Sequence, residues 1–207
     1  MIKLFNFCFI TQQISFFYAI HLIYPFNNHS LFYNKNGIII DIGKKGNNYM
    51  KFNLFKKAKT SVLTCADGKV VPITEVSDPV FAQKMMGDGF AVIPTGNTIY
   101  SPVSGKISMI FDTNHAFGLT MSNGLEVLVH IGIDTVNEKG EGFKRLAAIN
   151  DTVKAGDPII GIDLEALKAK GYDMAVMVIF TNDKYSELTL MEGDHQAKEE
   201  AATIQLA

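Results

Sequence analysis

Residues 115–131 read HAFGLTMSNGLEVLVHI, two apolar runs separated by the pair Asn123-Gly124. An Asn-Gly pair in this setting is the strongest short-range signal of a β-hairpin, because both residues tolerate the positive φ values of a tight turn. We therefore predict two antiparallel strands, over residues 117–121 and 125–131.

Short apolar runs of the same kind stand on both sides of this hairpin, with Gly, Pro, Asn and Asp between them. They cover residues 90–93, 98–100, 106–111 and 158–162. Strands spaced in this way are typical of a β-sandwich or barrel. The predicted fold class is therefore all-β, an antiparallel sandwich or barrel with a few short helices.

One short helix is predicted to begin at Pro79, because Asp78 can cap it and proline suits the first helical position. Gly87 is a suitable end, so the helix would cover residues 79–86 and place Phe81 and Met85 on one face. Since adjacent residues cannot share a helix face, only one of Met85 and its neighbour Met86 is expected to be exposed.

Two further helical segments are predicted after the hairpin. Asp163 and Gly171 frame a helix in the same way as the first, and residues 143–149 are a candidate third helical turn.

The first 49 residues differ in composition from the rest. They hold 11 of the 22 aromatic residues, a single acidic residue and no valine, and 31 of them are Asn, Ile, Lys, Phe or Tyr, the residues of A/T-rich codons. We interpret residues 1–49 as a non-native or disordered N-terminal extension, with Met50 as the initiator and residues 50–207 as the functional domain. A signal peptide and an interfacial membrane helix over residues 14–24 are the alternatives, but the first lacks a cleavage site and the second lacks Lys or Arg on its polar face.

Charge and cysteine content exclude several classes of protein. The net charge is −2 for the whole chain and −5 for residues 50–207, where 15 basic residues face 20 acidic ones, so no basic surface for nucleic acid is expected. Two cysteines, Cys8 and Cys65, cannot form a disulfide framework, which favours a reducing, cytoplasmic compartment. Apolar runs are too short to predict a membrane-spanning helix.

Two histidines of the hairpin are the candidates for chemistry. In the strand 125–131, the period of two puts Val127, Val129 and Ile131 on one face and His130 on the other. In a hairpin with Asn123-Gly124 at its centre, residues that face each other across the two strands have numbers that add up to about 247. His130 would therefore lie opposite position 117, within about two residues of His115. Side chains so placed are within reach of each other.

Three interpretations of this pair remain open on spacing alone. One neutral imidazole could attack phosphorus while the second stabilises the phosphoryl oxygens by hydrogen bonding. Alternatively, the two are surface histidines with no joint role. A metal site is the third possibility, since His130 and Asp134 have H-x-x-x-D spacing, but zinc normally requires three protein ligands.

Several motifs in unbroken order over residues 65–190 resemble the glucose-family enzyme IIA of the bacterial phosphoenolpyruvate:sugar phosphotransferase system. The most specific are Thr113-Asn114-His115-Ala116-Phe117 and Val129-His130-Ile131-Gly132-Ile133-Asp134-Thr135-Val136. Weaker ones are Asp67-Gly68-Lys69, Asp78 to Gly89, Pro94-Thr95-Gly96, Ser101-Pro102-Val103-Ser104-Gly105, Gly140-Glu141-Gly142-Phe143 and Val153-Lys154-Ala155-Gly156-Asp157. The resemblance implies a compact antiparallel β-sandwich, and it identifies residues 50–207 as the EIIA type-1 domain.

The resemblance also implies a role for each site residue. His130 would accept a phosphoryl group through Nε2 from the carrier protein HPr and pass it to a cysteine of the IIB domain of a sugar permease. His115 would stabilise the phosphate, and Thr113 would orient it. No cofactor and no metal are implied, and contact with the membrane permease would occur only through IIB and IIC.

A docking surface for HPr and IIB is implied around the two histidines. Asp78 and Asp134 would meet arginines of both partners, although Asp78 is equally well explained as a helix cap. The apolar positions that match the family's docking surface are Val80, Phe81, Met85, Met86, Phe111 and Leu128.

Two other classes of protein compete with this interpretation. A biotinyl or lipoyl carrier is suggested by residues 153–160, but such carriers present a lysine in a hairpin midway along the domain, where this sequence has none. A zinc peptidase on a related β-fold would need an H-x-H motif or a third well-placed histidine.

Overall fold

A computed structural model of the chain describes residues 59–207 in full, together with the backbone of four strands nearer the N terminus. These are β1 (His29–Tyr33), β2 (Ile39–Lys45), β3 (Asn48–Tyr49) and β4 (Asn53–Phe55). They belong to a unit that spans residues 1–58, in which β2 pairs with each of the other three. Most of residues 1–49 lie outside the described residues, so their interpretation as an extension stays a prediction.

The second unit, Lys59–Ala207, contains the remaining strands and two short α-helices. The strands are β5 (Lys59–Leu63), β6 (Gly68–Pro72), β7 (Asp88–Pro94), β8 (Thr98–Tyr100), β9 (Gly105–Ile110), β10 (Ala116–Thr120), β11 (Glu126–Ile131), β12 (Phe143–Arg145), β13 (Thr152–Val153), β14 (Pro158–Ile162), β15 (Val176–Phe180), β16 (Tyr185–Leu190), β17 (Gly193–His195) and β18 (Glu200–Leu206). The helices are α1 (Pro79–Ala82) and α2 (Leu164–Ala169), and two 3-10 turns cover Ile73–Glu75 and Thr135–Glu138. In the described part of the chain, no helix is long and apolar enough to cross a membrane.

Antiparallel pairing builds three sheets from these strands. The large sheet has eight strands in the order β13-β9-β10-β11-β15-β7-β6-β17, and the two smaller ones are β12-β14-β8 and β16-β18-β5. The main core joins the large sheet to both smaller ones, as shown by the buried cluster of Phe117, Val129, Ile160 and Ile204. The predicted all-β antiparallel fold with a few short helices is confirmed.

The large sheet also packs residues on its second face, where a smaller apolar cluster forms. Met177 and Ile179 of β15 lie in this cluster, and α1 and the first 3-10 turn contribute Phe81 and Ile73. The alternation of β11 explains the two faces, because Val127, Val129 and Ile131 are in the main core whereas Leu128 packs against the smaller cluster. His130 shares that second face.

The hairpin of β10 and β11 is present, but its loop is one residue longer than an Asn-Gly turn. The amide of Met121 donates to the carbonyl of Leu125 over 2.9 Å, and Gly124 has φ +82°. A turn followed by a left-handed glycine is the usual form of a three-residue hairpin loop. His130 therefore pairs with Ala116, not with position 117 as predicted.

Two of the three predicted helical segments are corrected. α1 ends at Ala82 and not at Met86, because Lys84 has a left-handed backbone, φ 58°, that a continuing helix does not allow. Residues 143–145 form the strand β12, paired with β14, where a helical turn was predicted. The third segment, α2, forms as predicted, and the Asp163 side chain accepts a hydrogen bond from the amide of Ala166.

Candidate functional site

The rings of His115 and His130 are neighbours on the second face of the large sheet. Their centroids are 5.1 Å apart, with an interplanar angle of 79°. His115 lies just before β10, after Asn114 with its left-handed backbone, φ 56°, so its side chain does not follow the regular alternation of the strand. This break allows His115 to share a face with His130, whose direct partner in the ladder is the small residue Ala116.

Thr113 contacts the His115 ring directly. Its Oγ1 lies 2.5 Å from Nδ1 of His115. Whichever of the two groups donates this hydrogen bond, it fixes the orientation of a buried ring and leaves Nε2 of His115 for other contacts.

Two phenylalanine rings enclose the histidine pair, one on each side. The Phe81 ring is 5.0 Å from the His130 ring, and the Phe111 ring is 5.1 Å from the His115 ring. Phe81 comes from α1 and Phe111 from the loop after β9, so the walls belong to segments that are distant in sequence. Together they keep part of each imidazole away from water.

Burial and charge keep His130 neutral. Burial lowers the pKa of His130 from 6.5 to about 4, and the neighbouring His115 acts in the same direction. The backbone of Gly132 and the carboxylates of Asp78 and Asp134 oppose this shift but do not cancel it. Burial also lowers the pKa of His115. Both imidazoles are therefore uncharged near pH 7.

The two nitrogens of His130 differ in access. Among the described residues, Nδ1 of His130 is buried and has no hydrogen-bond partner of good geometry, although the Gly132 backbone is close enough to affect the pKa. The ring as a whole is only partly buried. Nε2 is therefore the nitrogen that an incoming group can reach.

The pH dependence of folding is expected to report these two low pKa values. Below pH 6.5 the unfolded chain binds protons on His115 and His130 that the folded chain does not bind. The free energy of unfolding should thus be insensitive to the two histidines above pH 6.5 and fall as the pH decreases from about 6.5 towards 4. Urea unfolding at a series of pH values measures this, with His130→Gln as the control that should lose part of the pH dependence. An NMR titration midpoint of His130 near 6.5 would contradict the prediction.

The two acidic residues of the predicted docking surface, Asp78 and Asp134, both influence the pKa of His130. Asp78 does cap α1, since its Oδ1 accepts a hydrogen bond of 2.7 Å from the amide of Val80. Asp134 is exposed and left-handed, with φ 59°, at the start of the second 3-10 turn. Both carboxylates raise the pKa of His130. We call these two residues the acidic rim.

The apolar positions of the predicted docking surface divide into exposed and buried ones. Val80, Met85, Met86 and Phe111 are exposed, with Met85 71% and Phe111 41% accessible. Leu128 is half-buried. Phe81 is only 8% exposed, so the expectation of an exposed Phe81 is wrong. The reason is that the Phe81 side chain of α1 is part of the smaller apolar cluster, against which Ala82 also packs.

The methionines also differ from the prediction. Both Met85 and Met86 are exposed, whereas one of them was expected in the core. They follow the end of α1, in a turn where Lys84 is left-handed, so the rule that neighbours point to opposite sides of a helix does not apply to them.

One contact near the site has no signal in the sequence. The guanidinium of Arg145, on β12, donates hydrogen bonds to the Asn114 side chain and to the Phe111 carbonyl. Arg145 is 31 residues from Asn114 and falls in a segment predicted to be helical, so neither spacing nor pattern indicated the contact. Within residues 59–207, no group of three or more His, Cys, Asp or Glu residues has the arrangement of a metal site.

Known proteins resemble the second unit in sequence and in structure. The profile of the family described as phosphoenolpyruvate-dependent sugar phosphotransferase system, EIIA 1, matches residues 60–185. The glucose-specific EIIA component of Staphylococcus epidermidis is 44% identical over 139 residues, which cover 65% of this chain and 84% of that protein. The glucose-specific EIICBA component of Streptococcus pneumoniae is 47% identical over 154 residues, but these are 73% of this chain and only 21% of that longer protein. Glucose permease IIA from Mycoplasma capricolum superimposes with a TM-score of 0.69 at 36% identity, covering 73% of this chain and 99% of that one.

Proposed function

Because this chain belongs to the EIIA 1 family of the phosphoenolpyruvate-dependent sugar phosphotransferase system, we propose that it relays a phosphoryl group in glucose-type sugar uptake, with His130 as the acceptor. The observation that carries the assignment is a neutral, partly buried His130 whose second nitrogen is reachable, beside a second imidazole at 5.1 Å. A protonated imidazole has no lone pair on Nε2, so the low pKa keeps the ring in its nucleophilic form.

The first step is transfer from the phosphohistidine of HPr. The lone pair of His130 Nε2 attacks phosphorus, the N–P bond in HPr breaks, and the proton of His130 stays on Nδ1, the buried nitrogen of the ring. Such a transfer needs little covalent help from the protein, so positioning and electrostatics dominate its rate. The arginines expected on HPr would meet Asp78 and Asp134, the acidic rim of the site.

His115 is the stabiliser of the phosphoryl group in this proposal. With Nδ1 held by Thr113 at 2.5 Å, its Nε2 can donate to a phosphoryl oxygen on His130. Phe81 and Phe111 exclude water from the sides of the two rings, which protects the phosphohistidine from hydrolysis.

The second step is transfer to a thiol of the IIB domain. The N–P bond of phospho-His130 breaks, an S–P bond forms, and the thiol proton is lost to solvent or to the site. A IIB acceptor is supported by the streptococcal relative, whose name joins an A component to B and C components. The exposed Val80, Met85, Met86 and Phe111, with half-buried Leu128, are the apolar surface on which both partners would dock. The proposal places residues 50–207 in the cytoplasm, with membrane contact only through IIB and IIC.

The His115→Gln variant tests the two-step relay. We expect it to accept phosphate from HPr but to pass it to IIB about 100-fold more slowly. The glutamine amide can still donate a hydrogen bond, but it lies on a flexible side chain without the ring nitrogen that Thr113 holds in place, and a misplaced donor can cost this much in rate. Rapid-quench transfer with phosphoenolpyruvate, enzyme I, HPr and IIB measures both steps, and intact mass gives the acid-labile phosphate.

Wild-type protein is the control in the same experiment. Equal onward rates for wild type and variant would remove His115 from the mechanism. Wild-type protein that gains no phosphate, or that carries biotin or zinc instead, would contradict the proposed relay and favour the carrier or peptidase alternatives.

A further inference from the structure

The loop between β9 and β10, residues 111–115, carries the two hydrogen-bonded site residues Thr113 and His115 together with Phe111, and we call it the site loop. Two backbone hydrogen bonds hold the loop together. The amide of Asn114 donates to the carbonyl of Phe111 over 2.8 Å, and the amide of Phe111 donates to the carbonyl of Ala116 over 3.0 Å. Asn114 has φ 56°, so the direction of the chain between Thr113 and His115 depends on a left-handed residue. Any loosening of Asn114 would therefore displace Thr113 and His115.

Arg145 holds this loop from a different sheet. Its Nε donates to Oδ1 of Asn114 over 2.9 Å, and its Nη2 donates to the carbonyl of Phe111 over 3.2 Å. β12, which ends at Arg145, belongs to the sheet of β14 and β8, whereas β9 and β10 are in the large sheet. The planar guanidinium fixes the relative position of its two acceptors, which the single nitrogen of a lysine cannot do.

The chain that leads to β12 also packs against the site loop. A Cβ placed on Gly140 would be 3.7 Å from Cα of Thr113, which shows how close the two backbones run. This segment is tied to the end of α2 by Lys170, whose ammonium contacts Glu138 and lies 3.1 Å from the carboxylate of Glu141.

We infer that Arg145 is a positioning residue for phosphoryl transfer, acting through Asn114 and Phe111 on the Thr113–His115 hydrogen bond. The expected effect on kinetics rests on the proposed relay. Arg145 acts through its hydrogen bonds to the site loop. A small displacement of a group that must meet a phosphoryl oxygen lowers the rate of the chemical step without changing the docking surface.

Kinetics of three variants test the inference. Arg145→Ala should lower kcat for transfer to IIB about tenfold and leave KM for phospho-HPr and for IIB unchanged. Arg145→Lys, which can reach only one acceptor, should recover part of the loss. Lys144→Ala is the matched control, because it removes an equal charge from an exposed neighbour on the same strand and should behave as wild type.

Amide hydrogen exchange on the unphosphorylated protein gives a readout that does not depend on the relay. The Asn114 amide should exchange about tenfold faster in Arg145→Ala than in wild type, with no change in Lys144→Ala. Unchanged exchange together with wild-type kcat would overturn the inference, and so would equal losses in Arg145→Ala and Lys144→Ala, which indicate a charge effect. Faster exchange in a protein that never accepts phosphate would support the positioning of the loop and reject the proposed relay.

Discussion

Replacing His130 with alanine is expected to abolish phosphate acceptance from HPr, with a loss of more than about 1,000-fold. The reason is that the nucleophile itself is removed, and catalysis that depends on a covalent intermediate has no second route. His115 is not expected to take over, because Nε2 carries the proton in the tautomer that donates to the phosphoryl group and so has no lone pair, and the residue is only 6% exposed. Incorporation of acid-labile phosphate, measured by intact mass after incubation with phosphoenolpyruvate, enzyme I and HPr, is the assay.

Two controls protect this experiment. The His115→Gln variant, which alters the neighbouring ring at 5.1 Å, should still be labelled, so that a general disturbance of the site is distinguished from loss of the acceptor. Urea unfolding of His130→Ala at pH 7 should show a folded, cooperative domain. Wild-type levels of acid-labile phosphate on a folded His130→Ala protein would show that another residue is the acceptor.

Truncating Phe81 to alanine is expected to destabilise the domain by about 3 kcal/mol, the lower part of the range for buried phenylalanine. Phe81 is 8% exposed and lies in the smaller apolar cluster, and the centroid of its ring is 5.0 Å from that of the His130 ring. A loss of this size is a large fraction of the stability of a typical domain. Since the cavity would also admit water beside His130, the pKa of His130 should rise towards 6.5.

Phe111→Ala is the matched comparison, because the same ring is removed from the other side of the site where it is 41% exposed. It should cost less than about 1 kcal/mol while weakening transfer from HPr and to IIB. Denaturant unfolding measures the stabilities of both variants, an NMR titration measures the pKa of His130, and the phosphate-transfer assay measures the effect of Phe111→Ala on transfer. Equal stabilities for Phe81→Ala and wild type would contradict the assignment of Phe81 to the apolar cluster.

For the hairpin of β10 and β11, the sequence predicted which side chains are buried but not the exact register of the two strands. The apolar alternation of residues 125–131 predicted correctly which side chains of β11 enter the core, since burial depends on a period of two that the sequence displays directly. The register was one residue off, because the choice between a two-residue and a three-residue loop depends on the φ value of Gly124. The adjacency of His115 and His130 was still predicted, as the error was small compared with the reach of the two side chains.

Segments with little periodicity were predicted less well. Asp78-Pro79 marked the start of α1, but nothing in the sequence marked Lys84 as left-handed, and so the predicted helix was too long. Phe81 was assigned to the docking surface from the family resemblance, which does not report burial. The short strand β12 was taken for a helical turn because three residues are too few to show a period. The contact between Arg145 and the site loop joins two sheets, and such contacts follow from the packing of the whole domain.

The site of phosphorylation on the wild-type protein is the most direct test of the account. Protein labelled with ¹⁵N should be phosphorylated by phosphoenolpyruvate, enzyme I and HPr, and then examined by ³¹P and long-range ¹H–¹⁵N NMR. The account predicts one phosphoryl group on Nε2 of His130, because Nδ1 of that ring is the buried nitrogen. A phosphoryl group on His115, on Nδ1 of His130 or on no histidine at all would contradict it.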